Sequence, residues 1–231
     1  PIERTGNLLG QIQKIDRIKI FEYERIINGL IMMLWGFFLK LVIADRVSIL
    51  VDNVFDNYYV YGTIELFAAA LGFSLQIYCD FSSYSIIAIG AAKVFGFELM
   101  ENFNTPYFSR SVKEFWARWH ISLSTWFRDY VYIPLGGNRG GKFKTYRNLM
   151  STFLASGLWH GANWTYVVWG GLHGILQIAE RELAQLAGKI CHKESSTQKE
   201  SFSSTLRKIL VTDLLVAITW IFFRAKTCGQ A

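Results

Sequence analysis

Long apolar stretches alternate along the chain with short polar ones, and the polar ones are mostly basic. Residues 1–25 are polar and of mixed charge, with Arg4, Lys14, Arg17, Lys19 and Arg25 among them. The 19 residues of 26–44 are interrupted only by Asn28 and Lys40. A bilayer-spanning helix needs about 20 apolar residues, so this stretch is predicted to cross a membrane. Lys40, one turn from its end, is placed to snorkel its ammonium to the headgroups. Residues 45–62 are acidic and rich in tyrosine, with no basic residue after Arg46. They are predicted to form a loop on the outer side, with the Arg25 end cytoplasmic.

A second apolar region, 63–97, is too long for one simple span and is interrupted at Cys79-Asp80-Phe81-Ser82-Ser83. Asp80 there is costly unless paired or facing water. The expectation is one long bent helix, or a span followed by a partly inserted helix. Residues 93–148 hold nine basic and four acidic residues, which places them in the cytoplasm. Within them, 113–127 (KEFWARWHISLSTWF) sets Phe115, Trp116, Trp119, Leu123, Trp126 and Phe127 within a helical-wheel arc of about 120°. This predicts an interfacial amphipathic helix, with His120 at the edge of its apolar face. The 31 residues of 149–179 contain no Asp, Glu, Lys or Arg. Their middle, GLWHGAN, has small residues and a histidine in place of leucines, and Gly157/Gly161 and Gly170/Gly174 allow close helix approach. A half-helix in, a break at His160 and a full helix out would return 180–208, with six basic residues, to the cytoplasm. Residues 209–223 begin one more apolar segment, with Asp213 near its start. The predicted fold class is all-α, a polytopic membrane helical bundle with interfacial and re-entrant helices.

Composition agrees with this pattern. Of 231 residues, 52% are hydrophobic, 16% aromatic and 18% charged, against about 25% charged in soluble domains. A disordered chain, a coiled coil and a small disulfide scaffold are excluded. The formal charge of +6 resides in the loops, and no nucleic-acid-binding motif accompanies it, so no nucleic-acid partner is expected. Cys79, Cys191 and Cys228 are odd in number and widely spaced, which argues against a disulfide framework or a zinc site. The chain starts at Pro1 and stops at Ala231 just after an apolar run. It reads as a single membrane-embedded domain over 1–231, cut at both ends.

Few residues carry candidate chemistry. Gly136 to Phe143 fits the P-loop spacing up to its last position, where Phe143 lacks the hydroxyl that holds Mg²⁺. A glycine-rich turn is the plain reading; its amides with Arg139, Lys142, Lys144 and Arg147 could also meet phosphates of a donor or of lipids. His160 lies in mid-apolar sequence between Trp159 and Gly161. A buried imidazole needs a hydrogen-bond partner, which Asn163 or an unwound carbonyl would supply, and an apolar setting favours the neutral form that a general base requires. His120 reads either as an interface anchor or as functional. His173, between Leu172 and Gly174, reads as helix packing, and His192 as solvated. No nucleophile elbow, zinc-protease or dinucleotide motif is present.

The run QIYCDFSSYSIIAIGAAKVFGFELMENFNTPYFSRSVKEFWARWHISLSTWFRDYVYIPLGGNRGG, continued by KTYRNLMSTFLASGLWHGANWTYVVWGGLHG, resembles the membrane-bound O-acyltransferase family, in its alginate O-acetyltransferase-like branch. The likeness is dense over 76–174 and looser in the flanks. It implies a multi-helix membrane enzyme around a central funnel or tunnel, of which this chain carries a part. It implies that His160, in LWHGA, is catalytic and that His120, in RWHIS, is catalytic or orients substrate. An acyl group, in this branch acetyl, would pass from a cytoplasmic-side thioester donor (acetyl-CoA or carrier-linked, a substrate rather than a bound cofactor) across the bacterial inner membrane. Partner proteins on the exported side would place it on a polysaccharide such as alginate. The alternatives are D-alanyl transfer to teichoic-acid-type polymers, a transporter with His160 and Asp80 on a permeation path, and a silent membrane scaffold.

Overall fold

The computed structural model describes residues 2–18, 21–190 and 201–231; Lys19, Cys191 and His192 lie outside the described residues. Every regular element among the described residues is helical. The chain divides into two units, one of 1–104 with 120–123 and one of 105–119 with 124–231.

In the first unit, α1 (Thr5–Ile12) is followed by α2 (Tyr23–Phe38), which runs through a π-helical turn (Leu39–Ala44) into α3 (Asp45–Asp56). The three form one rod of 34 residues, and α4 (Thr63–Val94) has 32. Both rods are long and apolar enough to cross a membrane. The predicted loop after Ala44 is therefore helical down to Asp56. Acidic composition hid a helical period: Val51, Val54 and Phe55 are buried, while Asn53 and Asp56 face outward.

No break occurs at Cys79–Ser83. Cys79, Ser82, Ser83 and Ser85 are buried on one continuous helix, and the Ser83 hydroxyl donates to the Asp80 carbonyl at 2.6 Å, satisfying itself within the turn. Small residues there bring α2 close: a Cβ on Gly36 would stand 2.9 Å from the Ser83 carbonyl oxygen, and one on Gly29 2.7 Å from that of Gly90. Asp80 is paired. The Lys40 ammonium bridges Asp80 at 2.5 Å and Asp45 at 2.9 Å, joining the π-helical turn to α4. After α4 the chain leaves regular structure, and Gln11 pins it by exchanging bonds of 2.7 and 2.8 Å with the Glu98 backbone. The Met100 N–H donates to Glu3 at 2.8 Å.

The stretch predicted as one interfacial helix is two. α5 (Val112–Arg118) ends before Trp119, whose backbone is extended, and His120 follows at φ +44° before α6 (Ile121–Phe127). The wheel drawn across 113–127 therefore does not exist as one face. Phe115 and Trp119 are buried and stacked at 5.4 Å, so they pack inside the protein instead of lying in an interface. The start of α5 explains why it begins where it does. Ser111 accepts the Glu114 N–H at 3.0 Å, the capping pattern S-x-x-E, and Glu180 accepts the Val112 and Lys113 N–H groups at 2.9 and 3.0 Å. The Arg110 N–H, helped by the Arg118 and Arg110 charges and opposed by partial burial, holds the Glu114 carboxyl below the usual carboxylate range.

The second unit also holds α7 (Lys142–His160), α8 (Trp164–Ile190) and α9 (Phe202–Arg224). The break predicted at His160 is there: α7 ends on it, and Gly161 turns the chain at φ +154°. The expected glycine pairing is redistributed. Gly157 of α7 faces Gly170 of α8, where an added Cβ would come within 3.3 Å of the Gly157 Cα, while Gly161 serves the turn.

A Cβ on Gly170 would stand 2.3 Å from the Phe153 carbonyl oxygen, but one on Gly171 3.7 Å from a Leu154 methyl. Gly170→Ala is expected to lower stability by about 1–3 kcal/mol, the usual cost of overpacking, and Gly171→Ala to leave it near that of the parent. Unfolding midpoints of the detergent-solubilised protein measure both.

Candidate active site

His120 belongs to the first unit and His160 to the second, and each is built within its own unit. His120 sits in the gap between α5 and α6. Its Nδ1 lies 3.1 Å from Asn102 Oδ1 and 3.5 Å from Ser122 Oγ, and its ring meets Phe81 of α4 edge-on at 4.5 Å. Asn102 is 1% exposed. Its Oδ1 also receives the Ser122 N–H at 3.2 Å and hydroxyl at 2.8 Å, its carbonyl receives the Ile121 N–H at 2.9 Å, and its Nδ2 donates to Ser85 at 3.1 Å. The first N–H groups of α6, orphaned by helix geometry, are thus satisfied by a residue eighteen or more positions away. Asn102, Ser82 and Ser85 also line a cavity of about 390 Å³ whose other walls include Met32, Lys93 and Phe103.

His160 occupies the last position of α7. Trp169 and Phe223 meet its ring at 5.2 and 5.1 Å, both near perpendicular, and Tyr166 lies at 6.4 Å. Neither ring nitrogen hydrogen-bonds a described residue. The expected partner, Asn163, is engaged elsewhere: its Oδ1 accepts the Thr165 N–H at 3.2 Å, starting α8, and its Nδ2 donates to the Lys226 carbonyl at 3.0 Å. An imidazole gripped by aromatic rings, with its nitrogens unengaged by these residues, can take a proton from an incoming hydroxyl.

His173 is fully buried. The Trp116 indole N–H donates to its Nδ1 at 3.2 Å, so that nitrogen carries the lone pair and Nε2 the proton. Nε2 therefore donates to the Thr219 hydroxyl at 2.9 Å, which in turn donates to the Val216 carbonyl at 2.7 Å. Both nitrogens are occupied, and His173 ties α5, α8 and α9 together. Its ring meets Trp169 at 5.1 Å, the same indole that borders His160.

The glycine-rich turn is a turn, with positive φ at Gly136, Gly137, Gly140 and Gly141 and the Asn148 amide donating to the Gly137 carbonyl at 3.1 Å. Of the cations expected to meet phosphates, Lys142 is paired with Glu182 at 3.0 Å and Arg147 bonds Asn148. Sequence reasoning missed Asn102 altogether. Its only signal was a polar residue in the non-helical stretch between two apolar segments.

The sequence pattern of the MBOAT, membrane-bound O-acyltransferase family, matches residues 16–207. The chain is 45% identical to the probable alginate O-acetylase of Pseudomonas aeruginosa, over the whole chain and 41% of that relative. It is 40% identical to the peptidoglycan O-acetyltransferase of Helicobacter pylori, over the whole chain and 42% of that relative. The teichoic acid D-alanyltransferase of Bacillus subtilis is 37% identical over 46% of the chain and 28% of its own length. The chain thus spans about two fifths of the length of the full-coverage relatives.

Removing the buried imidazole should be a matter of stability. His173→Leu strands the Trp116 N–H and is expected to cost about 1–3 kcal/mol, while His173→Gln, which keeps a donor and an acceptor, costs less. Denaturant unfolding of the two variants compares them.

Proposed function

Because the chain belongs to the membrane-bound O-acyltransferase family, we propose that it carries the His160 centre of an O-acyltransferase. The protein moves an acyl group, acetyl in this branch, from a cytoplasmic-side thioester to a hydroxyl acceptor. The observation that carries this reading is His160 itself, held in LWHGA at a helix end among Tyr166, Trp169 and Phe223 with its nitrogens free of described partners.

In the reaction, His160 takes the acceptor's hydroxyl proton as the oxygen attacks the thioester carbonyl. The tetrahedral adduct collapses with loss of the thiolate, which takes the proton back from the imidazolium; one C–O bond forms and one C–S bond breaks. Aromatic walls keep bulk water from competing with the acceptor. His120 is the second reacting or orienting imidazole. The acceptor is an exported polysaccharide, with alginate favoured by the probable alginate O-acetylases at 42% and 45% identity over the whole chain, and exported-side proteins complete the transfer. The protein resides in the bacterial inner membrane on this reading, which the two membrane-length helices support as far as a membrane location. The D-alanyl reading rests on the shorter match to teichoic acid D-alanyltransferases.

His160→Ala in the full-length protein is expected to lower acyl transfer at least about a hundredfold, in line with loss of a general base, with normal expression and membrane insertion. Full transfer by that variant would refute the mechanism. Supplying purified protein with acetyl-CoA or with a D-alanylated carrier separates the two donors, and solute flux without transfer would mark a transporter instead.

A further inference from the structure

His120 is held by a buried polar network built on Asn102. The Asn102 side-chain atom at 3.2 Å from the Ser122 backbone N–H must be oxygen, because a backbone N–H only donates and an amide NH₂ cannot accept. The opposite end of the same amide is then the NH₂, and it faces the Ser85 hydroxyl oxygen at 3.1 Å, which accepts. The Ser122 N–H thus fixes the amide orientation, and the Ser85 hydroxyl, which can donate or accept, fits it.

At 3.1 Å from that oxygen stands His120 Nδ1. Two lone pairs facing each other at this distance would repel, so Nδ1 bears the hydrogen. In the neutral ring the lone pair then lies on Nε2. We propose that Asn102, oriented by Ser85, is a positioning residue for His120: it holds the imidazole as the Nδ1–H tautomer and so presents Nε2 as the basic nitrogen. The same logic governs metal-bound and catalytic histidines, whose reactive nitrogen is chosen by the bond its partner makes.

Three features make this more than helix capping. Asn102, Ser85 and Ser122 are each 1% exposed or less, so water does not replace their bonds. Asn102 engages three successive residues: the His120 ring, the Ile121 N–H, and the Ser122 N–H and hydroxyl. It therefore holds the left-handed backbone of His120 (φ +44°), which a non-glycine residue enters only when its surroundings impose it. Phe81, edge-on at 4.5 Å, fixes the ring plane from α4. Rotation, tautomer and backbone are set together.

The inference rests on the reading that His120 takes part in acyl transfer, and its test separates the two. The full-length protein, labelled with ¹⁵N-histidine and placed in nanodiscs, gives the His120 tautomer directly, its signals assigned by their loss in His120→Gln. The expected result is a protonated Nδ1 and an unprotonated Nε2 in the neutral ring. Asn102→Leu should lose that preference and lower kcat about 10–100-fold, the usual range for orienting partners, with KM within about twofold. Asn102→Asp, which keeps the acceptor oxygen, should retain the tautomer and recover most of the activity.

An Nε2–H tautomer in the parent protein overturns the proposal, and this holds even where Asn102→Leu fails to fold. So does a folded Asn102→Leu with unchanged tautomer and kcat, or an Asn102→Asp as impaired as the leucine variant. Full activity in His120→Gln would instead remove the role of His120 in the reaction, leaving the tautomer assignment to stand on the spectrum.

Discussion

Backbone-to-backbone approach between helices is the constraint on which the rest depends. In lipid, apolar side chains gain little by leaving one apolar surface for another, so helices associate through close packing and hydrogen bonds. Each unit solves this in the same way. Gly29 and Gly90, and Gly36 and Ser83, let α2 touch α4; Gly157 and Gly170 let α7 touch α8. The histidines inherit their positions from these contacts. α4, once seated, carries Phe81 and Ser85 to the neighbourhood of His120. α8, seated on α7, carries Trp169 to His160.

Both candidate histidines lie where helical hydrogen bonding stops. His120 is the second residue of a two-residue gap between two short helices, and His160 is the last residue before Gly161 reverses the chain. Helix ends leave backbone groups without intrahelical partners, so such positions need support from elsewhere. Near His120 that support is Asn102; after His160 it is Asn163, which starts α8 and reaches the Lys226 carbonyl. Two asparagines thus do similar backbone work beside two histidines. Only Asn102 also grips the ring.

Much of this was legible in the amino-acid order. The first membrane-length helix followed from apolar run length, one of the two options for 63–97 was a single long helix, and the break at His160 followed from glycine and polar residues inside an apolar stretch. What misled was the treatment of composition as conformation. Acidic residues after Ala44 looked like a loop because their charge outweighed the period of Val51, Val54 and Phe55. Serines and Asp80 looked like an interruption because the lysine that pairs with Asp80 is forty positions away. The single amphipathic helix failed at His120 because its backbone is imposed by Asn102, a partner that no window centred on 113–127 contains. Likewise, the occupied nitrogens of His173 depend on Trp116 and Thr219, residues distant in sequence. Local periodicity finds helices; it does not find the side chains that end them.

The π-helical turn at Leu39–Ala44 has a consequence for how this rod tolerates change. A π-bulge accommodates one residue more than the α-helical spiral would, and each residue advances an α-helix by about 100°. Everything from Asp45 to Asp56 is therefore rotated by roughly that angle relative to an uninterrupted helix. The face of α3 that meets Gly72 and Phe73 is chosen in part by this one extra residue. Such a turn behaves as an absorbed insertion, with Lys40 and its two carboxylates clasped around it. Length changes elsewhere in the rod would throw one half out of phase with α4, whereas here the phase shift is already part of the native register.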